Sequence, residues 1–288
     1  MVRERANERA CDLAIRKTLA YRAVFRYPLS YHQLYSTLIT NKKFKHDFFD
    51  KELSKLVKKG YIGYRDGKYF DKRIKPVSWD TRNKSAIADI KKASQVAKIL
   101  KKIPWIKLLC VTGSVAAFNA DKDADIDIFI VTKKHRLWLT RGFVATILKT
   151  LGIYQKGSGP GKVCPNLLID DETLEWPEKF RSIFTAHEIV LMHPLINRSN
   201  TYFDFLSANT WIKNYLGNFN FEHEKKPTGD QLGTSRIVNV LEKLAQYLQL
   251  KYMKPKRTNE IIEKHMLHFR KNDNTSWIIE SYKKYAPK

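Results

Sequence analysis

Two short motifs place residues suited to phosphate chemistry near each other along the chain. Gly113-Ser114 ends an apolar segment that predicts a strand, and Asp125-Ile126-Asp127-Ile128 begins a second predicted strand. Side chains alternate between the two faces of a strand, so both carboxylates face the same way. The two isoleucines then face the core. The pattern predicts a pair of acids held close together beside a glycine turn.

A paired carboxylate and a glycine turn indicate a particular kind of site. Two like charges held this close repel each other unless a cation lies between them. Mg²⁺ suits the pair because it commonly binds one or two carboxylates together with substrate phosphates. The turn at Gly113 and Ser114 offers backbone N–H groups and a hydroxyl at a helix start, where phosphate binds readily. We therefore predict metal-assisted phosphoryl or nucleotidyl transfer, with Asp125 and Asp127 as metal ligands.

The same residues carry a resemblance to a known family. An apolar strand, Gly-Ser, a spacer of about ten residues and Asp-x-Asp together resemble the DNA polymerase beta-like nucleotidyltransferase superfamily. Residues from about 85 to 170 are similar to the minimal core of that fold. The resemblance implies Mg²⁺-dependent transfer of a nucleoside monophosphate from an NTP, with release of pyrophosphate. It also implies that Gly113 and Ser114 bind phosphates and that Asp125 and Asp127 hold Mg²⁺. The acceptor stays open between RNA, protein and a small molecule.

The third acidic group expected from this resemblance is not evident in the sequence. Members usually carry it on the next strand, where the middle position here is Asn166. An amide cannot remove a proton at pH 7. We take Asn166 as the candidate catalytic position, with Asp170 at the strand end and Glu188 farther along the chain as acidic alternatives. The rival hypothesis is a non-catalytic winged-helix nucleic-acid-binding regulator whose nucleotidyltransferase fold senses nucleotide or is degenerate.

Two arginines follow the Asp strand in a predicted basic helix, residues 135–151. Arg136 and Arg141 are candidate nucleotide-binding residues because a guanidinium contacts phosphate oxygens in a bidentate way. The alternative is a basic helix face exposed to solvent.

The composition points to an anionic partner. The 288 residues carry a formal net charge of +24, and the sequence pI is about 9.8. RNA or DNA is the simplest partner for this charge, and a membrane is not expected. The alternative is a basic surface that only aids solubility. Three cysteines without CxxC spacing predict reduced thiols in a cytoplasmic protein. The oligomeric state is not indicated.

The amino-terminal region resembles a winged helix-turn-helix domain. Three helices are predicted over about residues 7–25, 31–39 and 47–59, followed by a hairpin turned at Asp66-Gly67. The resemblance implies phosphate contacts from the third helix and the wing. A role in protein binding or packing is the alternative. The candidate nucleic-acid-binding residues are Lys55, Lys58, Arg65 and Lys68.

The chain as a whole predicts a mixed α+β fold of three parts. Residues 1–80 are assigned to the winged helix-turn-helix domain and residues 81–175 to the nucleotidyltransferase α/β core. Residues 176–288 are assigned to a C-terminal helical domain, whose predicted helices include 203–216, 236–253 and 259–269.

Overall fold

Three helices and a hairpin open the chain in the computed structural model, which describes residues 2–76, 78–154, 160–220, 236–256, 260–269 and 274–287. The second helix begins with a capping box, in which Ser30 and Gln33 each bond the other's backbone N–H. Asp66 and Gly67 both have positive φ and turn the hairpin. This order of elements matches the sequence prediction, while the winged-helix assignment stays a prediction. The elements are α1 (Val2–Ala23), α2 (Tyr31–Ser36), α3 (His46–Lys58), β1 (Gly63–Arg65) and β2 (Lys68–Phe70).

A mixed sheet of six described strands forms the centre of the molecule. Its order is β6-β3-β4-β5-β8-β7. β4 and β5 run parallel, while β3 is antiparallel to both β4 and β6. The end of β3 therefore meets the beginnings of β4 and β5 at one edge. The strands are β3 (Ile106–Val111), β4 (Ile126–Thr132), β5 (Val163–Asp170), β6 (His193–Asn197), β7 (Ile261–Ile262) and β8 (Met266–His268).

Helices cover both faces of this sheet because its strands are apolar on both sides. Ile126, Ile128 and Ile130 pack into a core with α4, α6 and α9 on one face. Phe129 and Val131 pack into a second core with α7 and α8 on the other face. Asp125 and Asp127 alternate with the isoleucines and so share the face of this second core. The helices are α4 (Trp79–Leu100), α5 (Gly113–Ala116), α6 (Leu137–Thr150), α7 (Ile183–Leu191), α8 (Thr201–Ala208), α9 (Arg236–Met253) and α10 (Asn274–Tyr285).

The carboxy-terminal region differs from its prediction as a helical domain. The predicted helix over 259–269 is wrong: residue 259 lies outside the described residues, and the rest contains strands β7 and β8. The predicted helix over 203–216 is α8 followed by a short 3₁₀ turn, Thr210–Asn214. Apolar residues in so short a segment fit a strand as well as a helix. Strands β6, β7 and β8 extend the central sheet, so this region shares the core built around β3, β4 and β5.

The amino-terminal helices pack firmly against the sheet region. Thr40 N–H donates to Tyr215 O at 2.8 Å, and Gly217 N–H donates to Thr40 O at 2.7 Å. Phe44 N–H donates to the buried Asn218 side chain at 2.8 Å. A Cβ on Gly217 would lie 2.4 Å from a backbone oxygen, so only glycine fits this contact. None of the described helices has the length and apolar character needed to cross a membrane.

Candidate active site

The glycine turn and the Asp pair meet at the edge where β3 ends and β4 begins. Thr112 N–H donates to Asp127 O at 2.9 Å, which fixes the turn against β4. Gly113 has φ of 66°, and a Cβ there would lie 3.1 Å from Asp127 Oδ2. Both its conformation and its close approach to this carboxylate favour glycine. Ser114 is exposed at the start of α5, so its hydroxyl is open to an incoming ligand.

A thiol completes a three-residue cluster with the Asp pair. Cys164 lies directly opposite Asp127 in the parallel register of β4 and β5. One ligand atom from each of Asp125, Asp127 and Cys164 lies within 4.8 Å of the others. Directly opposed residues of neighbouring strands share a face, which explains the convergence. The strand next to the Asp pair thus places a thiol beside the two acids, while Asn166, where the resemblance implied a third acid, lies two residues farther along.

The Asp127 carboxyl is perturbed by its surroundings. Burial, the charge of Asp125 and the charge of Glu188 raise its pKa to about 7, in that order of size. A hydrogen bond with Cys164 acts in the opposite direction. Asp127 is therefore partly protonated at neutral pH without a cation. A bound cation would favour the charged form, since opposite charge lowers a carboxyl pKa.

Helix α7 brings a third carboxylate to this edge of the sheet. The charge of Glu188 acts on Asp127 and also on Arg22 and Tyr21 of α1. Ser182 begins the helix, because its hydroxyl accepts the Thr185 N–H at 3.1 Å. Glu188 is thus close enough for its charge to act on both the Asp pair and α1.

The charge of Glu188 acts on Tyr21 and Arg22 of α1, and no sequence pattern indicates either as a site residue. Arg22 is buried, with its guanidinium 5.6 Å from the ring centroid of Tyr27. Burial lowers its pKa, while the charges of Tyr21, Tyr27 and Glu188 act in the opposite direction. Arg22 is therefore a buried basic group within the electrostatic influence of Glu188. In the sequence, a lone arginine in an amphipathic helix does not indicate that its side chain is buried close to the site.

The structure separates the two other candidates on β5. Asn166 lies two residues beyond Cys164, at a bulge in the pairing with β4. Its Oδ1 is buried and has no hydrogen-bond partner among the described residues. Asp170 pairs with Thr132, five residues along β4 from Asp127, or roughly 16 Å away at strand geometry. Asp170 thus lies at the opposite edge, where it contacts His265 Nδ1 at 3.1 Å.

The two arginines of α6 do not converge on the Asp pair. Arg136 is buried and donates to Asn239 of α9 at 2.8 Å. Arg141 donates to Gln249 of α9 at 2.5 Å and lies over the Phe269 ring. Both contacts lie beneath α9, on the side of the sheet opposite α7. The structure therefore gives these arginines partners within the fold rather than a place beside Ser114.

The four basic candidates of the amino-terminal unit occupy different surroundings. Lys55 is 3.2 Å from Glu52 Oε2 and 3.9 Å from Glu8 Oε2. Arg65 lies over the Trp79 ring, with its guanidinium carbon 5.2 Å from the centroid. Lys58 on α3 and Arg65 on β1 are exposed, while Lys55 on α3 and Lys68 on β2 are only partly exposed.

The donor set at the Asp pair fits a hard divalent cation. Two carboxylates beside a glycine turn match the oxygen ligands that Mg²⁺ prefers, leaving room for substrate oxygens. The Gly113 cradle keeps space beside Asp127 Oδ2 that a Cβ would occupy. The Cys164 thiol is a softer donor and suits Zn²⁺ better than Mg²⁺. Asp125 and Asp127 would therefore hold Mg²⁺, with Cys164 beside it.

Comparison with known proteins agrees with this geometry. A family model described as a nucleotidyltransferase domain matches residues 93–190. The match supports a polymerase beta-like nucleotidyltransferase core and includes Gly113, both aspartates, Cys164 and Glu188. It reaches beyond the predicted core of 85–170 to take in α7. Searches of curated proteins and of solved structures each found no significant match.

Proposed function

We propose that the protein is a Mg²⁺-dependent nucleotidyltransferase that moves a nucleoside monophosphate from an NTP to an acceptor. The observation that carries this proposal is the meeting of Asp125 and Asp127 with the Gly113 turn, inside the segment that matches nucleotidyltransferase domains. Asp125 and Asp127 hold the cation, and the turn at Gly113-Ser114 binds the β- and γ-phosphates. Mg²⁺, when bound, neutralises negative charge on the triphosphate.

Glu188 supplies the third carboxylate in this proposal. An acceptor hydroxyl loses its proton to Glu188 while its oxygen bonds to the α-phosphorus. The bond from the α-phosphorus to the bridging oxygen breaks, and pyrophosphate leaves. Two observations support this role. The charge of Glu188 raises the pKa of Asp127, and α7 packs on the sheet face that carries the Asp pair. Arg22 of α1 is buried, and the charge of Glu188 acts to raise its pKa.

Replacing Glu188 with its neutral isostere tests this assignment. Glu188→Gln should lower kcat at least ~100-fold, as loss of a general base does. The affinity for Mg·NTP should change little, because the Asp pair is intact. Glu178→Gln, an exposed change just before α7, is the matched control and should leave kcat unchanged. An unchanged kcat in Glu188→Gln would remove Glu188 from the mechanism.

The substrates require a direct search. Each of the four NTPs, labelled on the α-phosphate, should be incubated with Mg²⁺ and with RNA, protein or small-molecule acceptors. Incorporation of label with release of pyrophosphate identifies both substrates. The net charge of +24 favours an anionic acceptor, so RNA comes first.

A second candidate function is nucleotide sensing without transfer. The observation that favours it is the thiol of Cys164 and the amide of Asn166 on the strand next to the Asp pair. In that case the wild-type chain binds Mg·NTP but transfers no label to any acceptor. Glu188→Gln would then leave nucleotide binding and every transfer assay unchanged. Label transfer by the wild-type chain, lost in Asp125→Asn, excludes this candidate.

A further inference from the structure

Helix α9 turns both polar and apolar side chains toward the fold; Ala245, Leu250 and Met253 pack into the core. Its inner face carries polar side chains that bond to α6: Asn239 accepts from Arg136, and Glu242 accepts the N–H groups of Trp138 and Leu139 at 2.7 and 2.9 Å. Gln249 bonds to the carbonyl of Trp138. These bonds satisfy the free N–H groups at the start of α6. The inner face of α9 is therefore partly polar.

The outer face of the same helix is apolar and exposed. Its seven large side chains are each between 46% and 73% exposed. A surface helix normally keeps its apolar stripe toward the core. A contiguous exposed patch of this kind marks an interaction surface. The seam, as we call this face, consists of Ile237, Val240, Leu241, Leu244, Tyr247, Leu248 and Tyr252.

The apolar residues next to Leu244 are arranged symmetrically about it, while farther out Ile237 is matched by Lys251. Val240 and Leu248 lie equally far from Leu244, one on each side, and so do Leu241 and Tyr247. When two such helices cross antiparallel at Leu244, a twofold axis places Val240 opposite Leu248 of the other copy. An isologous interface needs this self-complementarity. At the ends, Arg236 would face Tyr252 of the other copy, a cation–π arrangement.

We propose that the seam of α9 binds the seam of a second copy of this chain to form a twofold dimer. Seven large side chains at these exposures leave several hundred Å² of apolar surface per copy, near the ~800 Å² that each partner of a stable interface contributes. Lys251 is the one charged side chain on this face; it lies seven residues from Leu244, toward the end of the helix. Two chains that each carry a net charge of +24 repel at long range. The affinity of the dimer should therefore increase with salt, which screens that repulsion. Nucleic-acid binding shows the opposite salt dependence.

Sedimentation and light scattering of the full chain test the dimer. We expect a mass twice the 33.7 kDa of the chain at protein concentrations up to roughly 100 µM. Leu244→Asp places two carboxylates at the twofold axis and should give a monomer. Gln246→Asp makes the same charge change at an exposed position off the seam and should leave the dimer intact. Circular dichroism should show that both variants stay folded, because neither side chain belongs to a core.

Cross-linking gives a second measurement that does not depend on weakening the interface. Leu244→Cys should form a disulfide-linked dimer on oxidation, because the residue meets its own symmetry mate. Gln246→Cys should not. A wild-type chain that is monomeric at every concentration overturns the proposal, and so does a dimer that survives Leu244→Asp. A monomer whose seam binds anionic lipid vesicles, with loss of binding in Leu244→Asp, overturns it in favour of a membrane surface.

Discussion

The ring of Tyr21 in α1 stacks on the imidazole of His187 in α7, with the centroids 4.3 Å apart and the planes at 24°. Both side chains are buried, and burial lowers the pKa of His187 to about 3, so this imidazole is neutral. Its Nδ1 lies 2.8 Å from the carbonyl of Ile183. The residue after His187 is Glu188. The amino-terminal helix therefore packs against α7, the helix that carries Glu188.

Removing the Tyr21 ring should destabilise the chain and weaken the site. Tyr21→Ala should lower the free energy of unfolding by about 3 kcal/mol or more, as loss of a buried aromatic ring does. Transfer activity should fall under conditions where the variant is still folded, because α7 loses its support. Tyr61→Ala, at a side chain that is 61% exposed, should change stability by less than ~0.5 kcal/mol. Urea unfolding followed by circular dichroism compares the two.

Comparing Gly113 with Gly152 distinguishes the effect of backbone strain from the effect of contact with the Asp pair. Gly113 and Gly152 have φ of 66° and 67°, but a Cβ on Gly152 meets nothing within 4 Å. Alanine at either position should cost about 1–2 kcal/mol because of the left-handed conformation. Only Gly113→Ala should also weaken Mg·NTP binding, through the contact with Asp127. Calorimetric titrations that show equal affinity for both variants would make the turn purely structural.

Neutralising the Asp pair should abolish Mg²⁺-dependent nucleotide binding. Asp125→Asn with Asp127→Asn removes both proposed ligands and leaves the shape of the site nearly unchanged. The matched control is Asp121→Asn with Asp123→Asn, an equal charge change at two exposed positions in the loop before β4. Calorimetry with Mg·NTP should show binding by the control alone. Binding by the Asp125/Asp127 double variant at the wild-type affinity would refute the metal assignment.

The raised pKa of Asp127 predicts two dependences on pH. Metal binding requires the carboxylate, so affinity for Mg·NTP should fall as pH drops below 7. In the metal-free chain, the folded state holds a proton that the unfolded state has released between about pH 4 and 7. Stability should therefore decrease as pH rises through that window, by at most about 1.4 kcal/mol per unit, and level off above it.

The Asp127→Asn variant isolates this effect. It lacks the titrating group, so its free energy of unfolding relative to the wild type should rise from pH 5 to pH 7. Urea unfolding at several pH values in that range, without divalent ions, gives the difference. A difference that stays constant with pH would show that Asp127 titrates near its ordinary value.

Basic residues of α3 and the hairpin should contribute to nucleic-acid binding by the full chain. Each phosphate contact adds about 0.9 to the slope of log affinity against log salt for duplex DNA, and about 0.7 for single strands. Anisotropy titrations against RNA and duplex DNA should therefore show a flatter slope for Lys55, Lys58, Arg65 and Lys68 changed together to Ala. A control removes the same charge from exposed positions of α4 and the residues that follow it, through changes of Lys91, Lys98, Lys101 and Lys102 to Ala.

Two outcomes would contradict a specific role for α3 and the hairpin in nucleic-acid binding. Equal slopes for the two quadruple variants would mean that binding follows net charge alone. No binding by the wild-type chain at low salt would assign α3 and the hairpin to packing. Lys55 already contacts Glu52 and Glu8. We therefore expect Lys58 to contribute more than Lys55 among the single variants.

The sequence determined the local parts of this protein. The alternation of Asp125, Ile126 and Asp127 placed two carboxylates on one face, because side-chain direction in a strand follows from backbone geometry alone. The Asp66-Gly67 turn was likewise readable, since it depends on neighbours within a few residues. The motif spacing also located the segment that matches a nucleotidyltransferase domain.

Only the tertiary structure decided which distant residues meet. The register of β4 and β5 placed Cys164 opposite Asp127 and moved Asp170 to the far edge, and a shift of one residue would have reversed every face. Packing of α7 brought Glu188 to the site, and packing of α9 put several of its polar side chains inward. These outcomes depend on contacts between residues up to about a hundred positions apart, which no local pattern encodes.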